Sequence, residues 1–247
     1  MRYLVISDIH ANLEALDQVM ALAADVSHER LIVLGDLVGY GADPNGVVDR
    51  VRALAPDALI RGNHDKVASG LESPEGFNAV ARSAIRWTYD TLTPANREWL
   101  AALPAGPVDV DTVMEICHGT PYDEDAYVFD DLDVLRSLHA ASRRLCLYGH
   151  THVQVGFGLE GDRLGLLTDD ETRPLTMSLV ETTRYLVNPG SVGQPRDGDP
   201  RAGFALVDSD RQEVTIYRVP YPVEQAQARI LAEGLPEVLA HRLGLGR

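Results

Sequence analysis

Tyr3-Leu4-Val5-Ile6-Ser7-Asp8-Ile9-His10 and, one helix-length further on, Leu31-Ile32-Val33-Leu34-Gly35-Asp36 are the stretches on which the fold turns. Each is a short, wholly apolar run that stops at an acidic residue. Such runs suit strands covered on both faces, as in a parallel sheet. Between them, Asn12 is placed to cap a helix whose inner face is Leu13, Leu16, Met20 and Ala23, with Glu14 in its first turn. After the second run, Asp43-Pro44 opens a helix with Val47, Val48, Val51 and Leu54 inside, and residues 58–60 make a third strand. The pattern is strand–helix–strand–helix–strand, so an α/β fold with right-handed crossovers is expected.

Working outward, residues 66–105 predict a helical excursion, with helices over 77–92 and 93–103 bounded by Thr93-Pro94 and Pro104. Strands return at 113–117 and 145–148, on either side of a helix with Leu132, Leu135 and Leu138 inward. From residue 153 the pattern is β-rich, with candidate strands at 153–159, 163–167, 175–180, 185–187, 203–207 and 214–219. Helices over 222–232 and 236–243, separated by Gly234, close the chain. No repeat, low-complexity tract or linker interrupts the 247 residues, so one domain spanning 1–247 is expected.

Composition excludes several classes. With 45% hydrophobic and 24% charged residues the chain is an ordinary globular protein. A formal net charge of −15, without a basic stripe, argues against stable nucleic-acid binding and against anionic membranes. No run approaches the ~20 apolar residues of a membrane span, and residues 3–6 are too short for the apolar region of a signal peptide, so a cytoplasmic protein is expected. Cys117 and Cys146 sit in apolar runs and read as buried, inert thiols.

Five polar segments fall where a strand has just ended: Asp8-Ile9-His10, Gly35-Asp36, Gly62-Asn63-His64-Asp65, His118-Gly119 and Gly149-His150-Thr151-His152. Loops after the carboxyl ends of parallel strands converge on one rim, where ligands bind. The donors gathered there are imidazoles, carboxylates and an amide, with no thiolate, a set suited to Mn, Fe, Co, Ni or Zn. His28, His139 and His241 lack such company and read as surface residues.

In this order and spacing the five segments resemble the signature of calcineurin-like metallophosphoesterases. The resemblance implies a four-layer α/β/β/α sandwich of two mixed sheets. It also implies two divalent metal ions per chain, manganese first among them: Asp8, His10, Asp36 and His152 would hold one, and Asp36 would bridge to a second held by Asn63, His118 and His150. His64 corresponds to the proton donor for the leaving group and Asp65 to the acid that orients it. The segment after Asp36, Leu37-Val38-Gly39-Tyr40-Gly41, lacks the arginine that the protein Ser/Thr phosphatases of the family carry there. The chain also ends soon after Asn188-Pro189-Gly190-Ser191, in the manner of small bacterial phosphodiesterase-like members.

The implied activity is hydrolysis of small phosphate esters, phosphodiesters above all, by metal-activated hydroxide. A phosphomonoesterase, a dinucleoside-polyphosphate hydrolase and a non-catalytic protein-binding scaffold remain as alternatives on the same fold. Tyr40 and Arg196 are candidate substrate contacts, as is Tyr122, with the alternative that Arg196 merely pairs with Asp197. The oligomeric state is left open.

Overall fold

The computed structural model describes residues 1–168 and 172–247. Its centre is two six-stranded mixed sheets packed face to face. The first sheet is built on β1 (Arg2–Ile6), with β2 (Arg30–Val33) and then β3 (Ala58–Leu59) parallel to it on one side. On its other side run the antiparallel strands β11 (Ala202–Asp208), β12 (Glu213–Val219) and β9 (Leu175–Ser178). The second sheet runs in the order β4 (Val108–Asp109), β5 (Met114–Ile116), β6 (Leu145–Leu147), β10 (Thr183–Asn188), β7 (Val155–Glu160) and β8 (Arg163–Leu166). There β5, β6 and β10 are mutually parallel and the rest antiparallel.

The unbroken apolar runs are explained by what covers them. In β1, Leu4 and Ile6 point toward the helices while Tyr3 and Val5 point into the space between the sheets. Opposite Tyr3 and Val5 the second sheet presents Met114, Ile116, Leu147 and Val187. The outer face of the first sheet is covered by α1 (Leu13–Asp25), α2 (Pro44–Leu54), α4 (Ala79–Thr91), α5 (Pro94–Ala101), α7 (Val223–Ala232) and α8 (Glu237–Leu243). The outer face of the second is covered by α6 (Asp131–Ala140) through Val134 and Leu138. Helices, sheet, sheet and helix make the four expected layers. Each fully buried Leu or Ile in these interfaces contributes about 1.5–3 kcal/mol.

The expected caps are in place: Asn12 Oδ1 accepts from Ala15 N at 3.1 Å, and Asp43 Oδ1 from Gly46 N at 2.9 Å. Cys117 and Cys146 are buried free thiols. Several details differ from expectation. Val19 rather than Met20 is fully buried in α1. Leu132, expected inward, is 74% exposed, because Asp130 caps α6 in a register that turns Val134, Ser137 and Leu138 to the sheet. The edge strand β4 and the six-residue helix α3 (Asn63–Ala68) were not anticipated; both are too short to show periodicity.

Candidate metal centre

All five polar segments leave the carboxyl ends of parallel strands and meet at one rim. Asp8 and His10 follow β1, Asp36 follows β2, and Asn63 opens α3 just after β3. From the second sheet, His118 follows β5, and His150 and His152 follow β6. The backbone there is strained in a concerted way. Among the described residues, ten non-glycine residues have positive φ, and seven of them are Asp8, His10, Ala11, Asp36, Tyr40, His150 and His152. Left-handed backbone outside glycine costs about 1 kcal/mol or more per residue and persists only where surrounding structure enforces it. Here it folds the ends of the strands back so that their side chains point inward.

The carboxylates are positioned by backbone donors. Asp36 Oδ1 accepts from His64 N at 2.8 Å, which leaves Oδ2 facing His10 Nε2 at 3.5 Å and His118 Nε2 at 3.4 Å. Gly62 permits that approach, since a Cβ there would lie 2.1 Å from Asp36 Oδ1. Asp8 is held by Ser7 Oγ at 2.6 Å and by His150 N.

Each imidazole is anchored to a backbone carbonyl through one ring nitrogen. His10 Nδ1 donates to Val38 O, His152 Nδ1 to Gln194 O, His118 Nδ1 to Leu34 O and His150 Nε2 to Asp125 O, at 2.6–3.1 Å. A carbonyl only accepts, so these nitrogens carry the protons, and in a neutral ring the other nitrogen presents a bare lone pair. His10 Nε2 and His152 Nε2 then face each other at 3.0 Å, with Asp8 Oδ1 3.4 Å from the latter. Two lone pairs and a carboxylate oxygen converging in a buried space are a donor set that fits a cation. The donor atoms of Asp8, His10, Asp36 and His152 lie within 4.8 Å of one another, as do those of Asp36, His118 and His150. Asp36 belongs to both groups. Asn63 Oδ1 is also buried without a hydrogen-bond partner, as a seventh donor would be.

The structure alters the expectation for Asp65. Its carboxylate does not reach the His64 ring: Oδ1 accepts from Leu37 N at 2.9 Å and Val38 N at 3.2 Å, and Oδ2 from Gly62 N at 3.0 Å. Asp65 therefore staples the loop carrying Asp36 to the loop carrying Asn63. The His64 ring is held by packing instead, among His10, Tyr40 and Phe77 with centroids 4.4–4.9 Å away, and its buried Nδ1 has no partner.

Burial governs the electrostatics. It lowers His64 to about 4, and, with the His118 charge, His150 to about 3. It holds His10 and His152 well below the usual imidazole value. It also pushes Asp8 up to about 6 and, reinforced by Asp36, Asp65 up to about 7. At His118 burial is outweighed by the Asp36 carboxylate, which raises the ring to about 10. A proton on His118 is one way to satisfy Asp36, and a metal ion is the other.

These shifts predict acid lability of the chelator-treated protein. Between the unfolded histidine value and about pH 4, unfolding lets His10, His64, His150 and His152 take up protons, while Asp8 and Asp65 release theirs. Near pH 5 about two net protons are bound on unfolding, so stability rises with pH by about 3 kcal/mol per unit there. Above the unfolded histidine value the sign reverses, because the contribution of His118 is lost as pH rises toward about 10. The thermal midpoint should fall steeply below about pH 6. A midpoint that stays level down to about pH 4.5 would contradict the assignment of buried neutral rings.

Of the candidate substrate contacts, Tyr40 is 8% exposed and backs the His10 and His64 rings at 4.8 and 4.4 Å. Tyr122 instead carries Arg136 over its ring at 4.0 Å. Arg196 does not pair with Asp197, which binds Arg218. Its Nη2 donates to Gln194 Oε1 at 3.1 Å, its buried Nε has no partner, and its charge reaches Asp8, His10, His64 and His152. Sequence reasoning missed Tyr127, whose ring lies 3.8 Å from that of His150, and Arg242 of α8, whose charge is felt at Tyr40. It also missed Asn188 and Ser191, which bind Gly149 O and Asp8 O and so brace two of the loops. The run Asn188-Pro189-Gly190-Ser191 after a strand was the available signal.

A family profile described as calcineurin-like phosphoesterase superfamily domain matches residues 1–212. The chain belongs to that superfamily. It is 36% identical over 249 residues to an uncharacterised protein of Methanocaldococcus jannaschii, covering 98% of this chain and 97% of that one. A crystal structure of a metallophosphoesterase from Sphaerobacter thermophilus is similar over the whole of both chains, at 37% identity and a TM-score of 0.86. A hypothetical protein from Pyrococcus horikoshii OT3, 20% identical, shares the fold with a TM-score of 0.80 over 100% of this chain and 98% of that one. The two mixed sheets and their helices are thus the calcineurin-like metallophosphoesterase fold, and the His/Asp cluster at its rim fits divalent metal ions. No helix among the described residues is long and apolar enough to cross a membrane.

Proposed function

We propose that the chain hydrolyses small phosphate esters, phosphodiesters by preference. Two divalent ions would be held by Asp8, His10, Asp36 and His152 and by Asp36, Asn63, His118 and His150, with manganese among those that activate. The observation that carries this reading is the pair of bare imidazole nitrogens, 3.0 Å apart and locked by carbonyl hydrogen bonds, beside a carboxylate shared between both donor groups. When bound, two such ions would supply an acidified water and would neutralise charge on the phosphoryl oxygens.

The chain's own residues do the rest. The four carbonyl-anchored rings are pre-oriented, so little rotational freedom remains to be lost when donors engage. His64, next to both groups but a member of neither, is the proton donor to the departing oxygen. Burial keeps its ring neutral before substrate binds, so it takes up that proton when the phosphate's negative charge enters beside it. Asp65 keeps the Asp36 and Asn63 loops in register. Arg196 offers its unpartnered Nε to a non-bridging phosphoryl oxygen. A diester carries one negative charge and a monoester nearly two. Arg196 is the arginine felt at the ligand side chains, while Arg242 acts farther out, at Tyr40, so the centre supports the lower charge better.

The test is a panel of matched diesters and monoesters on protein reconstituted with Mn, Fe, Co, Ni or Zn. The expected result is higher kcat/KM on the diesters and two metals per chain. A monoester preference of about tenfold or more with every metal overturns the diester assignment. Absence of turnover with all of them overturns the hydrolase reading.

A further inference from the structure

We propose that the cavity beside His150 receives a planar heteroaromatic ring of the substrate, the base of a nucleotide ester, against a stacking face made by Tyr127 and Phe129. The inference rests on the hydrolase reading for the placement of the phosphate and extends it to the group the phosphate carries.

The rings form a column leading out of the metal centre. Tyr127 lies on His150 at 3.8 Å between centroids, and Phe129 lies on Tyr127 at 5.0 Å with the planes only 14° apart. Phe129 is 81% exposed. An aromatic side chain that is stacked on one face and open to solvent on the other leaves apolar surface uncovered, which marks binding surfaces. These rings border a cavity of about 410 Å³ that Tyr148 and Phe157 also line. Small-molecule sites span about 300–1,000 Å³.

The polar groups of the cavity select among ligands. Arg196, whose charge is felt at the metal-donor side chains, also lines the cavity and so marks the side on which the phosphate would sit. Asp130 and Asp131 stand at the cavity on the N-terminal side of α6. Two carboxylates repel a second phosphate, so this space does not suit a polyphosphate tail. They do accept hydrogen bonds from ring and exocyclic N–H groups. An uncharged flat ring carrying N–H donors, one short linker away from a phosphate, meets every side of this space.

The competing occupant is a second copy of the chain, since Leu132, near Phe129 in sequence, is also exposed. The column favours the small ligand, because its inner end is a metal-donor histidine and its cavity is concave.

The experiment compares adenosine 5′-monophosphate with ribose 5-phosphate, which lacks the base, by calorimetry on metal-loaded protein. Wild type should bind the nucleotide more tightly than the sugar phosphate by about tenfold or more, the usual effect of a base stacked on an aromatic ring. Phe129→Ala alters a side chain that packs little against the fold. It should remove most of that difference while leaving ribose 5-phosphate binding unchanged. Equal binding of the two ligands by wild type, or a Phe129→Ala protein that still discriminates, overturns the proposal. So does a wild-type dimer, seen by light scattering, that Phe129→Ala converts to monomers. Turnover of bis(p-nitrophenyl) phosphate by the same samples reports separately on the hydrolase reading, which can fail while base-dependent binding persists.

Discussion

Asp36→Asn should strip metal from both donor groups at once and lower turnover by on the order of 10³-fold or more, because bound ions contribute several kcal/mol to transition-state charge. Asp36 is the residue shared by the two groups. Its Oδ2 stands 3.4–3.5 Å from His10 Nε2 and His118 Nε2 and is the atom able to face an ion on either side. Asparagine can keep the hydrogen bond from His64 N through its own oxygen while turning an uncharged NH₂ toward the imidazoles. The fold should therefore survive, but near neutral pH the chelator-treated variant should melt lower than the chelator-treated parent, because the buried His118–Asp36 pair is lost. Asp8→Asn makes the informative comparison, since Asp8 belongs to one group and its loss should cost one ion. Elemental analysis distinguishes these outcomes. An Asp36→Asn protein that retains two ions per chain would refute a shared carboxylate.

Removing His64 should have a different signature: unchanged metal content, with turnover lower by about 10²–10⁴-fold on esters whose leaving group must be protonated. His64 belongs to neither donor group, and it is the backbone N, not the ring, that binds Asp36, so His64→Ala preserves that contact. The ring is packed among His10, Tyr40 and Phe77, so His64→Gln, which refills the space, separates a packing defect from loss of the proton donor. On a nitrophenyl ester, whose leaving group departs without a proton, the loss should shrink toward parity. Equal losses on both kinds of ester would show that His64 is not the general acid. Asp65→Asn should behave unlike either substitution. An amide offers one oxygen where the carboxylate satisfies three backbone N–H groups with two. Its effect should therefore appear as a lower melting temperature, with the leaving-group dependence intact.

The contrast between His64 and Asp65 shows where a linear reading stops. The segments at 8–10, 35–36, 62–65, 118–119 and 149–152 were legible because each is a polar interruption at the end of an apolar run. Parallel strands send all such ends to one rim, so their meeting follows from topology. The partner of Asp65 did not follow, because being adjacent to His64 in sequence says nothing about where an α3 side chain points. The carboxylate turns back toward Gly62, Leu37 and Val38 and accepts from their N–H groups. Tyr127 and Phe129 were invisible for another reason: an aromatic residue in a loop has no periodicity, and only the approach of His150, which follows β6, gives it meaning. Leu132 failed because it lies in the first turn of α6, just after the Asp130 cap, whereas Leu135 and Leu138 further along do pack toward the sheet.

The left-handed backbone at Asp8, His10, Asp36, His150 and His152 has a consequence for the life of the protein in a cell. A chain without ions holds that strain, and opposed lone pairs besides, with only the surrounding fold to offset them. Ions that bind only the folded form shift the balance toward it in proportion to their free concentration. Opening should therefore be more frequent when metal is scarce, and opened chains are the ones that proteases remove. The abundance of the protein would then follow the supply of its ions without any dedicated sensor, and starved cells would discard the copies that cannot work.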